Sequence, residues 1–100
     1  MQHFNGLTEA EQERLALLAE ECAEVIQAVM KVIRHGYESH NPISEDLATN
    51  RQLLEKELGH VRTALMLLTN GGDLDNSSIV ESGFIKLQTI QQWLHHQVRP

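Results

Sequence analysis

Two short patterns of side chains that could bind metal ions occur on different segments of this chain: Glu21-x-x-Glu24 and Glu57-x-x-His60. With helical rotation of ~100° per residue, Glu21 and Glu57 each project into the apolar sector of their own segment. A carboxylate that points into a core is costly unless it is paired, protonated or bound to a metal ion. The two inward acids are therefore the main chemical signal in the sequence.

An antiparallel pairing of the two segments would bring these four side chains together. Several carboxylates in one poorly solvated place repel each other, and a divalent cation removes that repulsion. Sites rich in oxygen ligands suit Mg²⁺ or Mn²⁺. Acid pairs three residues apart are also common on solvated helix faces, so the spacing alone leaves this simpler explanation open. The inward aim of both Glu21 and Glu57 favours the metal.

The elements that would position these residues are helices. Thr8 followed by Glu11 predicts a capping box, and a helix is expected over 9–34, ended by Gly36. Ser44 is the predicted cap of a second helix over 45–69, which the glycines after Asn70 would end. Ser77 or Ser78 is the predicted cap of a third helix over 78–97.

No run of alternating β-branched residues predicts a strand. The expected fold class is all-α: an antiparallel helical bundle of three long helices, in a single domain over 1–100. The expected apolar stripes of the three helices are Leu18, Cys22, Val25, Val29 and Val32; Leu47, Leu54, Leu58, Val61, Leu65 and Leu68; and Val80, Phe84, Leu87, Gln91 and Leu94. Because Cys22 lies on the first stripe, we expect it to be a buried structural cysteine.

Composition narrows the functional classes. The net charge is −6, with 14 acidic and 8 basic residues and no Lys/Arg run, which argues against nucleic acid as a partner. No apolar segment approaches the ~20 residues of a membrane span. The first residues lack the basic start and apolar stretch of a signal peptide, so a cytoplasmic location is expected.

Self-association is expected from the amount of apolar surface. The first helix carries a second face of small and apolar residues: Ala16, Ala19, Ala23 and Met30. Three long helices from 100 residues cannot cover all of this surface within one chain. A homodimer or homotetramer is therefore predicted.

The two motifs in company resemble those of a known family. The run Leu18-Ala-Glu-Glu-Cys-Ala-Glu-Val-Ile-Gln-Ala, followed by Leu54-Glu-Lys-Glu-Leu-Gly-His-Val, resembles the MazG-like all-α nucleoside triphosphate pyrophosphohydrolases. Their signature is EExxE on one helix and ExxD on the next. The similarity extends from about Leu15 to Leu94 and implies a four-helix-type core completed by self-association.

The resemblance implies roles for individual residues. Glu21, Glu24 and Glu57 would ligate Mg²⁺, and Glu20 or Glu24 would accept a proton from the attacking water. The implied reaction is hydrolysis of an NTP or dNTP between the α- and β-phosphates, in nucleotide house-cleaning or pool control. Three basic residues match the family pattern less closely, and the resemblance implies that they would bind the phosphates of the substrate: Lys31, Arg34 and Lys86.

His60 departs from the family pattern, which has Asp at this position. His60 could ligate a metal and shift the preference toward Mn²⁺, could only hydrogen-bond to a ligand or substrate, or could mark an impaired site. Two further classes of function stay open. Glu57-x-x-His60 is also the pattern of dinuclear iron or manganese carboxylate bundles. The chain could alternatively be a helical interaction module without activity.

Overall fold

The computed structural model describes residues 4–98, and the part of the chain that it describes is all-helical. Helix α1 spans Glu9–His35, α2 spans Asn50–Asn70 and α3 spans Asn76–Thr89, followed by a 3₁₀ turn over Ile90–Trp93. The all-α class and the three helices are confirmed. For two of the three helices, α2 and α3, the predicted bounds differ from the structure, for local reasons given below.

The start of α1 is as predicted. Thr8 Oγ1 accepts from the backbone N–H of Glu11 at 3.1 Å, and Glu11 Oε1 accepts from the N–H of Thr8 at 2.9 Å. Both hydrogen bonds satisfy N–H groups that would otherwise lack a partner at the helix start. The helix ends at Gly36, whose φ of +90° is disfavoured for residues with a side chain.

The second helix begins five residues later than predicted. Ser44 does not cap it, because Asp46 Oδ1 accepts from the Ser44 hydroxyl at 2.7 Å and from the Ala48 N–H at 3.1 Å, closing a turn. Leu47 follows Asp46 with φ +51°, which a helix does not tolerate. The cap is Thr49, which forms a reciprocal capping box with Gln52.

The third helix is shorter than predicted and has a different cap. Asp75, and not Ser77 or Ser78, caps it by accepting from the Ser78 N–H at 3.2 Å and from the Ser78 hydroxyl at 2.8 Å. The α-helix ends at Thr89 instead of continuing to residue 97. Since α3 packs chiefly on its own 3₁₀ turn, few tertiary contacts support further helical turns.

The core lies between α1 and α2, which pack as an antiparallel pair. Ala28, Ala64 and Leu68 are its buried apolar side chains among residues 4–98. At one end of the pair, Arg14 donates to Asp73 through Nε at 2.6 Å and through Nη2 at 2.8 Å. This bidentate contact joins the start of α1 to the turn after α2.

At the other end of the pair, the loop over 36–49 is tied to the start of α2. The Asn50 N–H donates to Ser39 O at 2.8 Å, and the Arg51 N–H donates to Tyr37 O at 2.9 Å. Asn50 is itself buried, and its Nδ2 donates to Gly36 O at 3.1 Å. The loop is therefore held against the ends of both helices.

Several predicted core positions are exposed. Cys22 is exposed on α1, so the prediction of a buried structural cysteine is wrong. It lies on the side of α1 away from α2, whereas Glu21 and Ala28 lie toward α2. Val29, Leu58 and the predicted stripe positions Val80, Phe84, Leu87 and Leu94 are also exposed, because no element of the described chain covers them.

Candidate metal centre

Four potential ligands converge between α1 and α2. The antiparallel register sets Glu21 opposite His60 and Glu24 opposite Glu57. Each of the four residues offers one donor atom, and these atoms all lie within 4.8 Å of one another. The structure thus brings together the four residues for which the sequence predicts metal binding.

The two inward carboxylates are largely shielded from solvent. The side chains of Glu21 and Glu57 are 15% and 16% exposed, whereas that of His60 is 46% exposed. One oxygen of each carboxylate, Oε2, is buried and lacks a hydrogen-bond partner. Leaving such atoms without a partner costs on the order of 1–3 kcal/mol each. A bound cation would satisfy both atoms, so the donor set fits a divalent metal.

His60 lies between the two acids. Its Nδ1 is 3.4 Å from Glu21 Oε2 and 3.5 Å from Glu57 Oε2. A protonated imidazole at this position would partly offset both negative charges, and a neutral one could supply a nitrogen ligand. The geometry is compatible with either role.

Glu24 titrates under the influence of Glu57. A hydrogen bond shared with Glu57 and the repulsion of the Glu57 charge raise the pKa of Glu24 above its ordinary value. The cluster therefore holds a proton more readily than isolated glutamates do. A cation and this proton would compete for the same oxygens.

A pocket of about 300 Å³ opens beside the acids. Glu24 and Glu57 line it together with Lys31, and the buried Asn50 forms part of its wall. A phosphate in this pocket would meet an ammonium group and, through a bound cation, the carboxylates. The remaining lining residues are Gln27, Ala28 and Leu53.

A second pocket, of about 400 Å³, adjoins the first and shares Lys31, Asn50 and Leu53 with it. It lies between the end of α1 and the loop over 36–49. Its lining contains no Asp or Glu but includes Arg34, His35 and His40 in addition to Lys31. In a chain of net charge −6, this local excess of cationic and imidazole groups suits an anion.

Two predicted residues lie apart from these pockets. Glu20 is exposed on α1 and is not one of the four clustered donors. Lys86 is on α3, which has hardly any contact with the α1–α2 pair, and it lines neither pocket. Within one chain, the structure therefore does not bring these two residues to the acids.

The contribution of Asn50 to the site is not evident from the sequence alone. The predicted bounds of 45–69 place residue 50 inside the second helix, whereas Asn50 is the first residue of α2 and its side chain is buried. The available signal was the Thr49-x-x-Gln52 capping box. His40 and Ser39 were missed because their place on the pocket wall depends on the fold of the loop.

Comparisons with protein-family models, with curated proteins and with solved structures found no match for this chain. Among residues 4–98, no helix combines the length and the apolar character needed to cross a bilayer.

Proposed function

We propose that this chain is a MazG-like, divalent-metal-dependent hydrolase of nucleoside triphosphates. It would cut an NTP or dNTP between the α- and β-phosphates, giving a nucleoside monophosphate and pyrophosphate, for nucleotide house-cleaning or pool control. The observation that carries the proposal is the pair of buried, unpartnered carboxylate oxygens of Glu21 and Glu57, beside a pocket that also contains Lys31.

The residues that would hold the metal are Glu21, Glu24 and Glu57, with His60 as a fourth ligand or as a hydrogen-bonding neighbour. A bound Mg²⁺ or Mn²⁺ would offset the negative charge of the substrate and make its phosphorus more electrophilic. Three carboxylates suit Mg²⁺, while an imidazole ligand moves the preference toward Mn²⁺.

Phosphate binding is assigned to Lys31 and Arg34. Lys31 lines both pockets and Arg34 lines the one without acids, so the two cations extend away from the carboxylates along a common wall. This arrangement would hold the negatively charged phosphates next to the acid cluster and orient the scissile bond toward it. The phosphate-binding role of Lys86 stays a prediction. Its position on α3 does not support that role within one chain.

Proton transfer is assigned to Glu24. In the reaction, water oxygen bonds to the α-phosphorus, the bond to the α–β bridging oxygen breaks, and pyrophosphate leaves. Glu24 lies in the cluster and would accept the proton of the attacking water, and its raised pKa makes its carboxylate a stronger base. The other predicted acceptor, Glu20, is exposed outside the cluster and is the weaker candidate.

A panel of NTPs and dNTPs with Mg²⁺ or Mn²⁺, with the products separated by chromatography, tests the proposal. We expect monophosphate and pyrophosphate, and we expect Glu57→Gln to abolish their formation. Glu55→Gln is the matched control, because Glu55 lies on the same helix but is exposed and outside the cluster. Formation of diphosphate and phosphate, or of no product from any nucleotide, would contradict the proposal.

A dinuclear iron or manganese carboxylate protein is the second candidate. The convergence of Glu57-x-x-His60 with two glutamates of another helix favours it, since such bundles build their sites from these ligands. Purified protein that contains about two iron or manganese ions per site and hydrolyses no nucleotide would favour this candidate. A helical interaction module, in which the acids are residual or merely structural, would instead show no stabilisation by any metal.

The proposal also includes a homodimer or homotetramer with a four-helix-type core, acting in the cytoplasm. Exposed apolar side chains on α1 and α3 support self-association. Sedimentation of the purified chain measures its oligomeric state.

A further inference from the structure

The loop over 36–49 carries three acidic residues, and none of them lines the pocket of about 400 Å³ that the loop forms with the end of α1. Glu38 is bound by Arg51, whose Nε donates to Glu38 Oε1 at 2.8 Å. Asp46 accepts two hydrogen bonds within its own turn, and Glu45 is exposed. We call this cavity the loop pocket. Its wall has no negative side chain, although the net charge of the chain is −6.

Two cations and two imidazoles line the loop pocket. Lys31, Arg34 and His35 lie on one side of α1, because they are three and four residues apart, and His40 comes from the loop. Neither Lys31 nor Arg34 forms an ion pair within residues 4–98, so their charges are not neutralised by the chain. All four side chains are exposed, and a dissolved anion therefore reaches them without any rearrangement.

Hydrogen bonds hold the loop in the shape that forms this pocket. The Asn50 N–H donates to Ser39 O at 2.8 Å, and His40 pairs with Thr49 in a single antiparallel bridge. Asn50 Nδ2 donates to Gly36 O at 3.1 Å, which ties the loop to the end of α1. The first N–H of α2 is used in these contacts, so the donors that remain for an anion are side chains.

The loop pocket continues into the pocket of about 300 Å³ beside the acids, which we call the acid pocket. The two share Lys31, Asn50 and Leu53. An α-phosphate at the acid cluster carries two substituents, the nucleoside and the β- and γ-phosphates. The nucleoside is uncharged, whereas the two further phosphates carry most of the negative charge of the substrate. Electrostatic complementarity therefore favours the β- and γ-phosphates for the loop pocket.

We propose that the loop pocket binds two linked phosphate groups without a metal ion, and that it holds the β- and γ-phosphates during hydrolysis. That the anion is the leaving group rests on the proposed function. When the bond between the α-phosphorus and the bridging oxygen breaks, its electron pair passes to pyrophosphate, beside Arg34, His35 and His40. Donors that face this charge stabilise it as it develops. A nucleoside diphosphate would fill the pocket less well, because its leaving group is a single phosphate.

Calorimetric titration of metal-free protein with inorganic pyrophosphate tests the site. We expect wild type to bind pyrophosphate without Mg²⁺, and more tightly than orthophosphate. Arg34→Gln and the double variant His35→Gln/His40→Gln should each bind it about tenfold more weakly. Arg62→Gln and His95→Gln are the matched controls, since they make the same changes at exposed positions that line neither pocket. Both controls should bind like wild type.

Three results would overturn the proposal. The first is the absence of pyrophosphate binding to metal-free wild type, and the second is equal affinity in all the variants. The third is binding that requires Mg²⁺ and is lost in Glu57→Gln, because the anion would then lie at the acid cluster. Since the replaced side chains are exposed, the variants should keep the wild-type Tm, so that weaker binding reports on the pocket and not on the fold.

Hydrolysis assays separate this inference from the proposed function. Arg34→Gln and the double histidine variant should each lower, by about tenfold, the ratio of kcat/KM for a triphosphate to that for the matching diphosphate. An unchanged ratio in an active enzyme would overturn the anion site and leave the proposed reaction intact. Metal-free pyrophosphate binding that depends on Arg34, in a chain that hydrolyses no nucleotide, would contradict the proposed reaction and leave the anion site intact.

Discussion

His60 of α2 faces Glu21 of α1 across the helix pair, with His60 Nδ1 3.4 Å from Glu21 Oε2. His60 thus places an imidazole nitrogen among three carboxylates. An acidic residue at this position would make all four potential metal ligands oxygen atoms. The identity of this one side chain therefore governs the charge of the cluster and the kind of metal that it suits.

His60→Asp tests how the imidazole affects the metal. If His60 limits Mg²⁺ binding, the variant should bind Mg²⁺ about tenfold more tightly, corresponding to about 1.4 kcal/mol, because a hard cation prefers carboxylate oxygen to imidazole nitrogen. Mg²⁺ titration by calorimetry, with hydrolysis assayed in parallel, measures the effect. Unchanged Mg²⁺ affinity and turnover would show that His60 does not limit the site.

Glu57→Gln tests the metal independently of any activity. The wild-type protein should gain about 2.7 kcal/mol of stability at a metal concentration of 100 times Kd. The variant should lose most of this gain, because glutamine has nearly the same shape as glutamate but lacks the negative charge that would bind the metal. Its metal-free form should be more stable than metal-free wild type at neutral pH, since Glu24 then faces one negative charge fewer.

Chemical denaturation with and without Mn²⁺ measures both effects of Glu57→Gln. Glu55→Gln removes the same charge from the exposed side of α2 and should keep the full stabilisation by metal. Equal metal-dependent stabilisation of the two variants would show that Glu57 is not a ligand.

Asp73→Asn tests the ion pair that closes the helix pair. The guanidinium of Arg14 lowers the pKa of Asp73 from its ordinary value of 3.8, so the native state favours the charged form. Its contribution to stability is therefore present above pH 3.8 and is lost as the pH falls through the lower, folded-state pKa. The variant should be less stable than wild type at neutral pH, and the difference should shrink toward strongly acidic pH.

Urea denaturation at a series of pH values measures this dependence on Asp73. Arg14→Lys keeps the positive charge but cannot form the bidentate contact, so this variant should retain only part of the stability that the Arg14–Asp73 ion pair contributes. A difference between wild type and Asp73→Asn that stays constant down to pH values below 3.8 would contradict this explanation.

Two glycines in and after α2 should respond to alanine in opposite ways. Gly59 is in mid-helix with open space at the position of a Cβ, so Gly59→Ala should stabilise the protein by about 0.5–1 kcal/mol. A Cβ at Gly71 would lie 2.9 Å from Leu67 O and 3.1 Å from Arg14 Nε, so Gly71→Ala should destabilise it. Thermal denaturation of both variants measures the contrast, and a stabilising Gly71→Ala would contradict it.

Much of the candidate site is predictable because it rests on local geometry. The helical period of 3.6 residues sets Glu21 and Glu57 on the inward faces of their helices, and the burial of both carboxylates confirms that prediction. The capping box of Thr8 and the stop at Gly36 are likewise encoded within a few residues. The start of a helix is harder to predict where the sequence offers two possible N-caps. Ser44 and Thr49 both have the side chain of an N-cap, and because the chain forms a turn around Asp46, Thr49 is the residue that caps α2.

The sequence by itself determined that three helices form and that the acids point inward, because hydrophobic periodicity and capping act over a few neighbouring residues. Only the tertiary structure decided the register that sets His60 opposite Glu21 and the burial of Asn50 beside the acids. It also decided the exposure of Cys22 and the separation of Lys86 from the site. These features depend on which helix faces pack together and on how the turn after α2 directs α3. The hydrophobic periodicity of the sequence does not determine which face of α1 packs against α2, because α1 carries two apolar faces and α2 covers one of them.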